Sequence, residues 1–439
     1  MRFVAALILV CVAGAGGATS AAPQGSAARV AAFDEVWQTV NDTFFDPTFG
    51  GQDWAAVRDE LRPRVERAAS DAEARAIVRG MLERLGQSHF AIIPPSNDPG
   101  DFRGEQTAPL DVRVVATDPA RVAAGDAVLV TRVWAAADSA GDAVKMGDRV
   151  MAIDGREVAS MATAPDDDPR MHVPLMWRRV ANALSGPAGS RVTLRLRAPG
   201  GAERQVTMAR VEAPGMPVAV GNLAVQSANL EALETHTSSG RRVGVIRFNI
   251  WMAPLAEPFA QAIDRFRNAD GLIIDLRGNP GGLADMIRGI AGHLLAEPAV
   301  LGRMHMRQAD LEFRANPRLS TSDGRRVQPF AGPVALLVDG LTASASECFA
   351  GGLQSLGRVR VFGTTSMGQA LPASTKRLSN DDVLLYAIGD FVTSTGVRLE
   401  GRGVVPDEVV PMTPENLAAG HDAEDAALRW LDTAPRPGR

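Results

Sequence analysis

The chain has 439 residues, 46% of them hydrophobic and 22% charged, which allows packed cores in about three domains. A net charge of -5 without any long Lys/Arg run excludes a nucleic-acid footprint, and 5% aromatic residues offer no stacking platform for bases. The six histidines are scattered and no H-x-x-x-H or C-x-x-C pair occurs, so no metal or organic cofactor is expected.

At the N-terminus, Arg2 precedes an apolar run from Phe3 to about Gly14 and then the small residues "GGATSAAP". That order reads as a signal peptide over residues 1–22, cleaved near Ala21 or Ala22. Roughly a dozen apolar residues are too few to span a bilayer, which needs about 20. Export to a bacterial periplasm or secretion is therefore expected, with no stable membrane anchor after signal removal. Cys11 leaves with the signal, and Cys348 remains without an intrachain disulfide partner. Cys348 falls in a predicted helix among apolar neighbours, the setting of a buried inert thiol rather than a nucleophile.

Residues 27–100 read as a helical domain. Val30, Phe33, Trp37 and Val40 share one face, as do Ile77, Met81, Leu82 and Leu85. Ser70 and Glu73 form a capping box, and Gly86 stops the helix just before "QSHF", so Ser88 and His89 fall in a loop. Residues 104–212 change to short strands and turns, with a hairpin around Gly200-Gly201 and an acidic solvated loop at 165–169. Val130 to Gly155, through Ala140-Gly141, Gly147-Asp148 and Asp154-Gly155, resembles a PDZ domain. Such domains take a peptide as an added strand at a sheet edge. "TAPLDVRV" (107–114) is the candidate for its carboxylate-binding loop.

Residues 214–432 alternate strands with helices. "RRVGVIRFNI" reads as a strand, Leu255, Phe259, Ile263 and Phe266 as a helical stripe, and "GLIIDL" as a buried parallel strand. A helix from Leu283 to Leu295, the strand "PVALLVD" and the helix carrying Cys348 follow. This rhythm predicts an α/β core with right-handed crossovers, whose site lies at the carboxyl ends of the strands. "RGNPGG" and "DGLTAS" are such loops.

Two readings of Ser344 stand side by side. With Glu347 it fits S-x-x-E, which starts a helix by satisfying free N–H groups. It is also a serine between a strand and a helix, where a hydroxyl nucleophile would need a positioned base and two N–H donors for an oxyanion. Ala345 would supply one donor, and Gly281 or Gly282 the other.

The segments "GLIIDLRGNPGG", "VALLVDGLTASASECFAGGLQ", "VFGTTSMGQALP" and "LEGRGVVPDEVV" resemble successive core motifs of one serine-peptidase family. It comprises the C-terminal processing (tail-specific) peptidases, the tricorn core protease and the repeats of interphotoreceptor retinoid-binding protein. "FDEVWQTVNDTFFDPTFGGQDW" and "LERLGQSHF" extend the likeness over nearly the whole chain after the signal. The resemblance implies a Clp protease/crotonase-like α/β core with an N-terminal helical domain and a PDZ-like domain. It also implies a peptide or protein substrate, recruited by its C-terminus, and a nucleophile at Ser344 rather than Ser346.

The tail-specific branch uses a lysine base where this chain has Gln369, and a glutamine amide cannot accept a proton. Lys376 is the nearest substitute. The tricorn-like branch, which this chain resembles more, uses a histidine preceded by a serine, backed by a distant glutamate. That implies His89 as the base of Ser344, with Ser88 linking His89 to Glu400. Asp275 and Arg277 are expected to hold loops, and Glu347 to cap its helix. The rival expectation is a family member that lacks catalysis and keeps its PDZ-like module and apolar groove for binding a peptide or an apolar ligand.

Overall fold

The structure, a computed structural model, describes residues 25–95, 106–115, 119–134, 143–162, 171–218, 226–321 and 323–435. The expected signal peptide, the acidic loop at 165–169 and Ala140-Gly141 lie outside the described residues. Three helices open the chain: α1 (Ser26–Thr43), α2 (Trp54–Arg67) and α3 (Asp71–Glu83). Asp53 and Ser70 cap α2 and α3, accepting the N–H groups of Ala56 and Glu73 at 3.0 and 3.2 Å. The helices bury Phe33, Val40, Leu61, Val65 and Met81 together with Leu378 and Leu384 from far along the chain. The helical region is thus completed by a distant hairpin. Strand β1 (Ala91–Ile93), inside the expected helical domain, leaves it to pair with that same hairpin.

An antiparallel sheet follows in the order β2-β3-β4-β5-β6: Leu110–Val114, Val128–Val133, Arg149–Ile153, Arg191–Arg197 and Glu203–Ala209. Helix α4 (His172–Leu184) covers it. Period-2 alternation sets its faces: Leu110, Val112 and Val114 are buried, while Asp111 and Arg113 lie on the opposite face, partly buried, with Arg113 reaching Asp339 of the core at 2.7 Å. The same alternation corrects the expected loop at 107–114, most of which is the edge strand β2. The hairpin at Gly200-Gly201 is present, with Arg197 opposite Glu203.

The third body holds a six-stranded sheet. In chain order its strands are β7 (Leu230–His236), β8 (Arg242–Phe248), β9 (Gly271–Asp275), β12 (Val334–Val338), β13 (Arg360–Gly363) and β17 (Glu408–Val409). Only β7 pairs antiparallel; the other neighbours are parallel. Ile246, Ile274, Leu336 and Val361 are in register across four strands, all fully buried. This row faces α5 (Ala256–Phe266), α6 (Asp285–Ala291) and α7 (Ala345–Ser355). Each such side chain contributes roughly 1.5–3 kcal/mol by leaving water. On the other face, Val245, Ile273 and Leu337 pack on α8 (Ala423–Thr433). Helix α6 is shorter than the expected 283–295: Leu294 and Leu295 are buried in the turn after it, and apolar spacing alone does not separate the two.

Two three-stranded antiparallel sheets flank this core. One joins β10 (Ala299–Met306) and β11 (Asp310–Ala315) to β16 (Gly389–Thr393). The other is β1 with β15 (Val383–Ala387) and β14 (Ala373–Arg377).

Candidate active site

Strand β12 runs directly into the loop 339–343, and Ser344 caps α7 with φ 54° and ψ -120°. A positive φ in a residue with a side chain costs about 1–3 kcal/mol and persists only where surroundings enforce it. Here the Ser344 N–H is shared between Gln369 O at 2.8 Å and Glu347 Oε2 at 3.1 Å. The Glu347 half of the expected capping box is therefore present. The strained turn carries the serine hydroxyl at the end of a buried strand, half-exposed.

His89, 255 positions earlier, brings Nε2 to 3.0 Å from Ser344 Oγ. Its backbone is also left-handed, with φ 61°. Ser88 Oγ lies 2.7 Å from His89 Nδ1 and donates to Glu400 Oε2 at 2.9 Å. Glu400, 6% exposed, also accepts Ser88 N–H on Oε1 and Ala370 N–H on Oε2, both at 2.9 Å. These contacts fix the imidazole tautomer. An ionised carboxylate only accepts, so the single Ser88 hydroxyl proton points to Glu400. Ser88 Oγ then accepts from His89 Nδ1–H, and the Nε2 lone pair is left facing the Ser344 hydroxyl. Loss of hydration pushes the His89 pKa down to about 4, so the ring is neutral through the physiological range.

The N–H groups of Ala345 and Gly282 have no acceptor among the described residues. Gly281 is different, and the expectation that its N–H is a free donor is corrected: it donates to Asn279 Oδ1 at 3.0 Å in an Asx turn. What Gly281 supplies is space, because a Cβ there would lie 2.6 Å from Ser344 Cβ. Asn279 is fully buried, donates to Phe248 O at 2.9 Å, and accepts Ala343 N–H on its own carbonyl at 3.1 Å. It joins the two loops on either side of the hydroxyl. The pattern reading missed it, although Asn two residues before a glycine is itself a turn signal.

Ser346 is buried and accepts from Trp251 Nε1 at 2.8 Å, which makes it a core group. Cys348 is buried, and its thiol is pushed far above the ordinary range by desolvation and the nearby Glu347. The chain has two lysines. Lys145 lies in the β3–β4 connection, and Lys376 donates to Thr39 Oγ1 at 3.0 Å, on the helical region. Gln369 aligns its backbone with Ser344, while its amide nitrogen lies 3.7 Å from Met171 Sδ, just before α4. Asp275 is buried between Arg247 and Arg277, which hold its carboxyl far below the usual range, and Arg277 continues to Asp422 at 2.8 Å. That network ties β8 and β9 to the start of α8. A cleft of about 690 Å³ between β2, α4 and the carboxyl ends of the core strands is bordered by Arg113, Trp177, Asp275 and Asp339, but not by Ser344 or His89.

Residues 242–410 match peptidase family S41, and residues 27–83 match the tricorn protease C1 domain. The carboxyl-terminal-processing protease of Synechocystis is 25% identical over 379 residues, 86% of this chain and 79% of that protein. The chloroplastic carboxyl-terminal-processing peptidase 2 of Arabidopsis thaliana is 26% identical over 384 residues, 86% of this chain and 68% of its own length. Among solved structures, the photosystem II D1 C-terminal processing protease shares the fold over 93% of this chain and 99% of its own, with a TM-score of 0.55 at 21% identity. Mature CPAF does so with a TM-score of 0.56 at 14% identity, over 93% and 96%. Among the described residues no helix is long and apolar enough to cross a membrane. Residues 242–410 thus carry the peptidase family S41 match, the relatives over most of the chain are carboxyl-terminal-processing proteases, and the chain is a serine-type peptidase acting on protein or peptide substrates.

Proposed function

We propose that this peptidase hydrolyses peptide bonds through an acyl-enzyme on Ser344, with His89 as general base and Ser88 and Glu400 orienting it. The observation that carries the reading is the 3.0 Å approach of His89 Nε2 to Ser344 Oγ across 255 residues. In acylation, Ser344 Oγ attacks the scissile carbonyl carbon while its proton passes to His89 Nε2. The imidazolium is steadied through Nδ1–H to Ser88 Oγ and onward to Glu400. The oxyanion is received by the N–H groups of Ala345 and Gly282. Collapse breaks the C–N bond, and the amine leaves with the proton from Nε2. Water then repeats the sequence on the ester, giving up a proton to His89 and releasing the new carboxyl group.

Residues 104–212 are proposed as a PDZ-like domain whose edge strand β2 receives the substrate's C-terminal segment as an added strand. Export to a periplasm or the medium rests on the signal-like residues 1–22. Fluorophosphonate labelling tests the nucleophile. Wild type takes up one label on Ser344, and Ser344→Ala takes up none and cleaves no peptide. Equal labelling of the two proteins would overturn the assignment. Peptides with free C-termini should be cut in preference to their amidated counterparts, and equal rates would remove C-terminal recruitment.

A further inference from the structure

Glu347 holds more than a helix cap does. Its side chain is fully buried, and both oxygens are saturated with donors. Oε1 accepts Ser366 Oγ–H at 2.5 Å and Gly368 N–H at 2.7 Å, and Oε2 accepts Gln369 N–H at 3.0 Å and Ser344 N–H at 3.1 Å. Three of these four donors come from the strap 366–369. The next amide along, Ala370 N–H, goes to Glu400. Three consecutive N–H groups are thus divided between two buried carboxylates, one on the nucleophile helix and one behind the base. The strap answers in the other direction too, since Gln369 O accepts the Ser344 N–H at 2.8 Å.

We propose that Glu347 is a positioning residue for the reaction: its ionised carboxylate locks the strap 366–370 and so keeps Ser344 in register with the Glu400–Ser88–His89 relay. The proposal rests on Ser344 as nucleophile. A buried carboxylate without a cation among its hydrogen-bond partners is expensive to hold, and a simple cap would not require one. A proton on Glu347 disturbs the lock, because Ser366 Oγ, its one partner able to accept, would have to turn its own proton away from Oε1 while still taking Val404 N–H at 2.7 Å. Burial pushes the Glu347 pKa up to about 7, against the pull of its four hydrogen bonds. The titratable groups around it are Cys348, held neutral by burial, Glu400 on the next strap amide, and Asp390, which with Glu347 and Glu400 acts on the Cys348 thiol; Arg398 and Arg402 flank Glu400 in sequence.

The test compares full-length wild type, Glu347→Gln and Ser366→Ala by fluorophosphonate labelling and peptide kcat and KM from pH 4.5 to 9. Wild-type labelling of Ser344 should rise through an apparent pKa near 7, distinct from the limb near 4 set by His89. Glu347→Gln should still label on Ser344, about 10- to 100-fold more slowly, with kcat reduced rather than KM raised and the limb near 7 gone. Ser366→Ala removes a bond that holds the Glu347 pKa down, so its limb should move to higher pH. If Glu347→Gln labels as fast as wild type, the proposal fails. If that variant does not fold, Ser366→Ala decides: an unshifted limb overturns the proposal and a raised one supports it. A wild type that does not label on Ser344 at all would sink the nucleophile reading, and this proposal with it.

Discussion

The two halves of the site are held in opposite ways. Ser344 is fixed from within one body: β12 delivers it, α7 receives it, and Asn279 and Glu347 brace the loops on either side. His89 is fixed from outside. It sits in a short link between α3 and β1, and β1 is held by three residue pairs with β15, from Ala91–Leu385 to Ile93–Val383. Arg75 on α3 grips Asp382 at the start of that hairpin strand through Nε at 3.0 Å and Nη2 at 2.9 Å. The proposed nucleophile is therefore as stable as the core, whereas the proposed base is as stable as a docking surface. Breaking each contact separately tests that difference.

His89→Ala should show the largest effect, a loss in kcat/KM of about 10³-fold or more, because a general base alone supplies about 10²- to 10⁴-fold. At pH 7.5, where His89 is neutral whether the chain is folded or unfolded, the core should melt unchanged, since its apolar clusters do not include His89. Retained turnover in steady-state assays would move the base elsewhere. Ser88→Ala comes next. It leaves Glu400 its two backbone donors, Ser88 N–H and Ala370 N–H, and removes the one hydroxyl that both donates to Glu400 and accepts from His89 Nδ1–H. A loss of about 10- to 100-fold in kcat with KM unchanged is expected. Parity with wild type would show that the tautomer needs no serine.

Asp382→Ala acts on the docking surface alone. Asp382 is 2% exposed, and its removal strands Arg75 beside an apolar seam, a loss of up to about 3–5 kcal/mol where a buried pair is broken. Arg75 is 21% exposed, which reduces that figure through hydration. On warming, activity should fall several degrees before core unfolding in the variant and together with it in wild type. Coincident transitions in both proteins, by activity and by calorimetry, would mean that the helical region and the core form one cooperative unit.

The sequence reveals these halves unequally, for the same physical reason. Ser344 is visible because strand, turn and helix cap are local patterns of burial and hydrogen bonding, each a few residues long. The buried strands around Ile274 and Leu336 are legible as continuous apolar runs. His89, Ser88 and Glu400 are separated by up to 312 positions, so no local pattern joins them, and only the family resemblance brought them together. The occupied N–H of Gly281 depends on which way one buried amide turns. The wider role of Glu347 was hidden because S-x-x-E accounts for one of its donors and is silent about the strap twenty residues on.

The smallest expected effect sharpens the comparison through protons. His89 has its pKa lowered from 6.5 to about 4, so its contribution to stability is complete above about pH 6.5 and is lost as pH falls through 4. Glu347 has its pKa raised from 4.5 to about 7, so its contribution is complete below about pH 4.5 and is lost as pH rises through 7. Between pH 5.5 and 7.5 the two trends oppose, each worth roughly 1–2 kcal/mol, and wild-type stability should be nearly flat. Removing one partner exposes the other. His89→Ala should become less stable as pH rises over that interval, and Glu347→Gln more stable, with melting shifts of about 2–4 °C in opposite directions. Parallel slopes in the two variants would mean that at least one of these groups is hydrated in the folded protein. Opposite slopes would mean that each half of the site carries a desolvated group whose titration resists the other's, with maximal activity confined to the pH range where His89 is neutral and Glu347 is charged.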